Sequence, residues 1–409
     1  MLWSVFWLAL VFAFHIVMVN LGIFLALYVP YLKRKADNIG DENLEKVAHK
    51  LMKFYAATYG VAGVYATAFT VFLLSFYPDF LGLAGHLTLV PFGLAILMIA
   101  VHFFAITGFY YGWNRWSRGI HYAFGVLLAL SALLIPFAFR AVFAFLNIPV
   151  GLELSGGKLS LNVVDALTGN PTYWPLYLKS LVAAITAGAF AVVGGLAYSY
   201  VKSTDEGYRR AVSQVVKELT PVIAIGLVLM IVMGFWYAIS LRNIPYKFNN
   251  VFARFGWTAG DGTVGFDVSW LFALKMIFFL AQIYIIATAY KHLKAGTIPI
   301  SKATPLLLGG LIALFTVALG ELLNAFSQYP YFIACLGSPA SCQDILSQIP
   351  PEQLDRLASI LNLETYNTLA TIQSVQVITG LFMAFLIAST FYFLYVILIK
   401  EKNNNINSN

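Results

Sequence analysis

Nine stretches of mostly apolar residues, separated by polar segments, constrain this chain more than any other feature. A helix that crosses a membrane needs about 20 such residues, and the stretches of that length are 3–29, 52–77, 87–112, 120–146, 172–200, 220–241, 268–290, 304–327 and 369–399. Only 11% of the 409 residues are charged, whereas soluble domains average about 25%. The sequence therefore predicts an all-α bundle of nine transmembrane helices, a multi-pass protein of the cell membrane surrounded by lipid. We expect one membrane domain over residues 1–400 and a disordered cytoplasmic tail at 401–409.

The basic residues predict the orientation of this bundle. Of the 25 Lys and Arg residues, 17 lie in or beside the odd-numbered loops and the C-terminal tail, and 5 lie in the even-numbered loops. The positive-inside rule then places the N-terminus outside and the C-terminus inside. The net charge of +7 is thus an orientation signal, and no basic segment interleaved with aromatic residues indicates a nucleic-acid partner. The first stretch lacks a basic leader and a cleavage site, so we interpret it as a retained helix.

The eighth loop, about residues 328–368, holds both cysteines of the chain, Cys335 and Cys342. On the outer side of a membrane two cysteines in one short loop could form a disulfide, and two free thiols are the alternative. Later in the loop, PPEQLDRLASILNL at 350–363 predicts a short amphipathic helix that begins near a proline.

Two histidines lie inside apolar stretches, where an ionisable side chain is costly and is a functional candidate. His15 lies in the first stretch and His102 in the third. Both helices run from outside to inside, and at about 1.5 Å per residue both imidazoles come near mid-membrane. If these helices are neighbours, the imidazoles could face each other across a planar cofactor such as haem, because neutral imidazole is a common metal ligand. The alternative is that each histidine only hydrogen-bonds to a neighbouring helix.

Four further ionisable residues lie in the outer thirds of their predicted helices, namely Arg140, Lys179, Lys275 and Glu321. The simpler interpretation is that the long cationic side chains snorkel to the membrane surface. A Lys–Glu or Arg–Glu pair is also compatible with these positions. The sharper hypothesis is an outer polar pocket that holds haem propionates or a quinone head group. The motifs of soluble enzymes, such as a Walker loop, paired CxxC or HExxH, are absent from the sequence.

Several segments resemble subunit I of cytochrome bd-type quinol oxidases, and the resemblance covers nearly the whole chain. FYYGWNRWSRGIHY at 109–122 is the most specific match, because it is similar to the aromatic-rich end of the family's third helix. FHIVMVNLGIFLAL resembles the first helix, NPTYWPLYLKSLVAAITAGAFAVVGGLAYSY the fifth, and LFALKMIFFL the seventh. The resemblance implies a nine-helix fold, a haem cofactor (heme, of b or d type) and quinol oxidation coupled to oxygen reduction.

The resemblance also suggests which haem ligands this chain keeps. His15 falls on the histidine that ligates a haem of the family's buried di-haem site. The family holds an outer haem with a histidine and a methionine, and these positions read Lys179 and Ile277, with Met276 one residue away. The arginine before that methionine reads Lys275. Because lysine is not a usual haem ligand, we expect the outer haem to be absent and the two lysines to fill or solvate its pocket.

Other residues of this chain also differ from those at the matching positions of the family. Two glutamates of the third helix read Leu94 and His102, and the latter keeps a group that can bind a metal. The haem-ligating glutamate of the eighth helix aligns with Ala318, although Glu321 lies one turn away. The family has a long quinol-binding loop between its sixth and seventh helices. Here that loop is reduced to residues 242–267, so the segment that usually binds the quinol is largely missing.

Three functions remain open at this level. In the first, the chain is a subunit-I-like paralogue that pairs with a catalytic subunit I and holds at most one haem, so that catalysis belongs to its partner. In the second, it is a divergent catalytic subunit whose haem is held by His15 and His102. In the third, it is a structural or transport membrane protein without a redox role. We favour the first, since the fold-bearing segments persist while several ligand positions do not.

Overall fold

The computed structural model describes residues 3–155, 158–347, 349–351, 355, 359–364, 369 and 372–395. In chain order its helices are α1 (Trp3–Ile39), α2 (Glu42–Phe76), α3 (Pro78–Leu87), α4 (Leu89–Tyr111), α5 (Arg118–Asn147), α6 (Val163–Thr168), α7 (Tyr173–Lys202), α8 (Glu206–Ser240), α9 (Pro245–Phe252), α10 (Ser269–Lys294), α11 (Ile300–Phe326), α12 (Gln343–Leu346) and α13 (Gln373–Tyr395). Within these residues nine helices are long and apolar enough to cross a membrane: α1, α2, α4, α5, α7, α8, α10, α11 and α13. The prediction of a nine-helix membrane bundle is confirmed.

Two of the spanning helices begin well before their apolar stretches. Asp41 caps α2, where its carboxylate accepts hydrogen bonds from the backbone N–H groups of Asn43 and Leu44 at 2.9 and 3.0 Å. Asp205 caps α8 in the same way through the N–H of Tyr208 at 3.1 Å. An N-terminal carboxylate satisfies donors that the first helical turn leaves free. The caps therefore extend both helices, each 35 residues long, beyond the apolar stretch.

The bundle is organised around α1 and α7, which are the most enclosed of the spanning helices. α1 packs against α2, α5, α7 and α11, and α7 packs against α8 and α11. Glycines allow the close approach of α7 and α11: a β-carbon on Gly194 would come within 2.6 Å of the Leu306 carbonyl oxygen, and one on Gly310 within 2.9 Å of Ala191 Cα. Small residues at such crossings are typical of helix packing in membranes.

Short elements cover the bundle at one end, where α5 and α11 finish and α7 and α10 begin. Strands β1 (Leu152–Ser155) and β2 (Lys158–Leu161) form an antiparallel hairpin, a small addition to the predicted all-α fold. Short 3-10 turns run over Leu241–Asn243, Ala253–Phe255, Ala334–Gly337 and Pro339–Cys342. A disulfide joins Cys335 and Cys342. The predicted amphipathic helix at 350–363 falls partly outside the described residues, and the predicted tail at 401–409 falls entirely outside them.

Candidate functional site

Four of the ionisable residues singled out in the sequence line one cavity near the covered end of the bundle. Arg140 and Glu321 lie near the C-terminal ends of α5 and α11, and Lys179 and Lys275 near the N-terminal ends of α7 and α10. Because these ends meet on the same side of the bundle, the four residues reach a common level and face a cavity of about 70 Å³. Snorkelling to the membrane surface therefore does not describe them.

An ion pair forms one wall of this cavity, which we call the polar cavity. Arg140 Nη2 lies 2.9 Å from Glu321 Oε1, and Arg140 is only 5% exposed. The other two atoms of the pair, Arg140 Nη1 and Glu321 Oε2, are buried without a hydrogen-bond partner in the described structure. The pair thus retains an unused donor and an unused acceptor, which is a costly arrangement in a low-dielectric interior.

The two lysines of the polar cavity have no anionic partner within the part of the chain that the structure describes. Lys179 Nζ lies 4.1 Å from the centroid of the Tyr237 ring, a cation–π contact, and Lys275 passes beside Gly320. Across the described ranges of the chain, neither ammonium group lies within salt-bridge distance of a carboxylate. With Arg140 included, three cationic side chains share one carboxylate, that of Glu321.

Neutral polar residues that were not singled out in the sequence complete the lining. Gln282 Nε2 donates a hydrogen bond to Thr316 Oγ1 at 2.8 Å, and the Tyr237 hydroxyl donates one to Asn324 Oδ1 at 3.0 Å. The polar cavity is also lined by Asn20, Ser180, Thr186 and the thioether of Met230. Isolated Asn and Gln residues within apolar stretches were the available sequence signal, but which of them would converge depends on the rotation and packing of six helices.

Lys247 is a further buried cation that the sequence placed in a loop. Its α9 lies over the covered end, and Lys247 Nζ donates hydrogen bonds to Asn147 Oδ1 at 2.8 Å and Gln328 Oε1 at 3.0 Å. The residue is 1% exposed. Burial lowers the pKa of its ammonium group to about 7, against a smaller opposite effect of the Glu321 carboxylate. Lys247 therefore adds a titratable group beside the polar cavity.

His15 of α1 contacts α2. Its Nδ1 lies 3.0 Å from the carbonyl oxygen of Ala62. A carbonyl oxygen only accepts, so Nδ1 carries the proton and Nε2 keeps its lone pair. A metal-binding histidine commonly donates its other ring N–H to a carbonyl in this way. The hydrogen bond thus prepares His15 Nε2 to act as a ligand.

His102 is engaged at both ring nitrogens. Its Nδ1 lies 2.8 Å from Ser131 Oγ, and its Nε2 is hydrogen-bonded to the hydroxyl of Tyr55. Ser131 in turn donates to the Leu127 carbonyl at 2.8 Å, so we assign Nδ1 as the donor to Ser131 and Nε2 as the acceptor from Tyr55. His102 as a haem ligand stays a prediction, and iron could bind only if one of these hydrogen bonds broke.

The two histidines are not brought face to face. Within the described residues, α1 and α4 share at most a marginal contact. Both imidazoles touch α2 instead, His15 at Ala62 and His102 at Tyr55. These positions are seven residues apart, or roughly 10 Å along the helix axis. The condition for two imidazoles across one planar cofactor, that their helices are neighbours, is not met, because α1 and α4 each pack against α2 and α5 instead.

The motif at 109–122 contributes to a polar cluster at the other end of the bundle. This cluster, which we call the Lys33 cluster, consists of Lys33, Asp37, Glu45, Trp113 and Asn114. Asn114 adopts a left-handed backbone conformation with φ of 55°, which asparagine tolerates better than most residues. Lys33 Nζ donates to Asp37 and Glu45, both at 2.7 Å, and to Asn114 at 3.0 Å. Trp113 Nε1 also donates to Glu45, at 3.2 Å. The motif therefore connects α1, α2 and the end of α4.

Comparison with known proteins identifies the family. Residues 3–260 match the sequence profile of cytochrome bd terminal oxidase subunit I. This chain belongs to that family. Cytochrome bd ubiquinol oxidase subunit 1 of Bacillus subtilis (strain 168) is 26% identical over 95 residues, which are 23% of this chain and 20% of that protein. A second chain of that organism, whose name assigns it to subunit I of a cytochrome bd menaquinol oxidase, is 26% identical over 194 residues, 46% of this chain and 43% of its own length.

The similarity in fold to known proteins extends over more of the chain than the similarity in sequence. A chain in the structure of the bd oxidase from Geobacillus thermodenitrificans superposes with a TM-score of 0.75, covers 98% of both chains and is 16% identical. The matches to the two Bacillus relatives, in contrast, cover less than half of their length. The membrane-spanning architecture of the cytochrome bd family is therefore retained throughout this chain, while its side chains have diverged.

The family is one of haem proteins, and the two sites of this chain differ in how well they suit a haem. Lys179 and Lys275 line the polar cavity, while Ile277 and Met276 turn outward at 61% and 37% exposure. A cavity of about 70 Å³ is also far below the roughly 300–1,000 Å³ of small-molecule pockets. A haem does not fit there. At His15 the tautomer meets one requirement of an axial ligand, because Nε2 carries no proton.

Proposed function

We propose that this chain is a subunit-I-like subunit of a membrane bd-type oxidase, in which it pairs with a catalytic subunit I and holds at most one haem, at His15. In this proposal the N-terminus lies outside and the C-terminus inside. The complex would oxidise a quinol and reduce oxygen, and the catalytic steps would belong to the partner chain.

The polar cavity carries this proposal. The resemblance places the ligands of the outer haem at Lys179 and Ile277, and the cavity beside Lys179 holds four ionisable side chains instead of an axial ligand pair. A subunit without the outer haem lacks one electron carrier of the family. The retained fold, together with this loss, favours a partner role over independent catalysis.

His15 would be the residue that holds the one haem of this chain. Its Nδ1–H is fixed by the Ala62 carbonyl, and this hydrogen bond orients the ring and raises the basicity of Nε2. When bound, a haem supplies one-electron chemistry. Glu321 would take no part in its ligation, because Arg140 binds it in the polar cavity.

The outer surface of the bundle supports assembly with other chains and lipid. α8 and α10 expose large apolar side chains, including Val228 at 61%, Ile277 at 61% and Tyr284 at 70%. Such faces suit lipid or another membrane subunit. The names of the two Bacillus relatives give different quinols, ubiquinol in one and menaquinol in the other, and the quinol used by the complex is left to experiment.

Haem stoichiometry tests the proposal. The chain would be purified alone and together with whatever chain co-purifies, and its haem measured by absorbance against protein concentration. We expect no more than one haem on the isolated chain, its loss in His15→Ala and its retention in Lys179→Ala. Two or more haems on the isolated chain would support a divergent catalytic subunit. No co-purifying chain and no haem in any preparation would favour the non-redox alternative.

A further inference from the structure

The charge balance of the polar cavity is unusual for a membrane interior. Arg140, Lys179 and Lys275 converge on a space whose one acidic side chain is Glu321. Burying a single unpaired charge costs several kcal/mol unless another charge compensates it. Two cationic charges in excess therefore require either an additional anion or loss of protons from the lysines.

Unsatisfied donors face the same space. Arg140 Nη1 is buried and has no acceptor in the described part of the chain, and Arg140 itself is 5% exposed. Among the described residues, Lys179 Nζ contacts the face of the Tyr237 ring. The hydroxyl groups of Ser180 and Thr186 donate to carbonyls of their own helix at 2.8 and 2.7 Å, so their oxygens can only accept further hydrogen bonds. The cavity wall thus presents cationic donors from three different helices.

We propose that the polar cavity binds one small inorganic monovalent anion of the halide class, held by Lys179, Lys275 and Arg140. The volume of about 70 Å³ admits a halide with a few waters, since one water needs roughly 10–15 Å³ on the same measure. A monovalent anion is favoured over a divalent one because the cost of dehydrating an ion rises steeply with its charge. This inference rests on the part of the proposed function that leaves the cavity without a haem.

Glu321 tunes this site. Its carboxylate pairs with Arg140 and offsets part of the positive potential that attracts the anion. Removing its negative charge in Glu321→Gln would leave the cavity more positive. The anion should then bind more tightly, by on the order of tenfold for a unit charge across a few ångströms of partly polar interior. A purely structural role of the four residues predicts no such gain.

Bromide is the probe for the test. The purified complex would be kept at constant ionic strength while sodium gluconate is replaced by sodium bromide, and the midpoint of thermal unfolding recorded. We expect a saturable rise in the midpoint for the unsubstituted protein, its loss in the Lys179→Met, Lys275→Met double variant, and a lower half-saturating bromide concentration in Glu321→Gln. Lys202→Met is the matched control, because this exposed lysine also lies over a tyrosine ring, that of Tyr198 at 5.7 Å.

Several outcomes would overturn the inference. Equal midpoints in bromide and gluconate, a bromide effect that survives in the double variant, or an equal loss in Lys202→Met would each do so. If the double variant does not fold, anomalous scattering from bromide in crystals of the unsubstituted complex decides, and absence of a peak in the cavity counts against the site. Haem content is measured on the same samples. Haem lost with the lysines contradicts the proposed function, whereas bromide insensitivity with unchanged haem contradicts only the anion site.

Discussion

Each end of the bundle contains a polar cluster with buried lysine, and the two clusters differ in whether the positive charge is balanced by carboxylates. In the Lys33 cluster, an ammonium group with three N–H donors meets three acceptors, on Asp37, Glu45 and Asn114. In the polar cavity, Lys179 and Lys275 have no carboxylate partner among the described residues, and Arg140 and Glu321 each retain an unpaired atom.

This difference separates a structural network from a candidate binding site. A fully satisfied buried network makes the local arrangement of helices more rigid and specific. A partly satisfied network destabilises the fold while its site holds no ligand. Such a network is retained where a function offsets this loss of stability. The Lys33 cluster, which contains the motif most typical of the family, thus explains why that motif persists.

The largest effect is expected at the satisfied cluster. Lys33→Met would leave the carboxylates of Asp37 and Glu45 close together without their shared cation, and we expect a loss of about 5 kcal/mol in the free energy of unfolding. Thermal unfolding of the detergent-solubilised protein measures it. Lys46→Met serves as the control, since Lys46 is exposed and only weakly bonded to Asn43 at 3.4 Å. Equal losses in the two variants would remove the distinction between the clusters.

A smaller effect is expected for the ion pair of the polar cavity. Arg140→Met would leave the buried Glu321 carboxylate without its partner, at a cost of about 3 kcal/mol. The double variant with Glu321→Gln removes the charge that was left behind, and we expect it to recover most of that loss. A double-mutant cycle based on unfolding midpoints gives the coupling between the two side chains. Additive losses would show that Arg140 stabilises through packing alone.

The smallest effect is expected for the pH dependence of stability at Lys247, followed between pH 7 and 9. Burial lowers its pKa in the folded state to about 7, while an unfolded chain titrates near 10.4. Between these values the unfolded state binds more protons, so stability rises with pH over this window, and below pH 7 the burial cost is fully present. The slope is at most about 1.4 kcal/mol per pH unit.

Comparison with Lys247→Gln isolates this contribution. The glutamine amide can still donate toward Asn147, but it does not titrate, so we expect a flatter dependence of the unfolding midpoint between pH 7 and 9. Parallel pH profiles for the two proteins would show that Lys247 is not neutralised on folding.

The sequence by itself determined the membrane class, the number of spanning helices and the identity of the unusual side chains. These properties depend on local composition: the length of an apolar stretch is written in consecutive residues, and an ionisable group within such a stretch is visible without knowing its neighbours. His15, Arg140, Lys179, Lys275 and Glu321 were all accessible in this way.

The tertiary structure alone decided which of these groups meet. Arg140 and Glu321 are separated by 181 positions, and they pair because α5 and α11 end at the same side of the bundle. His15 and His102 stay apart because α2 and α5 lie between their helices, and Lys247 is buried although its segment looks like an ordinary loop. Helix neighbours and rotations arise from packing summed over many weak contacts between distant segments, and no short stretch of sequence records that sum.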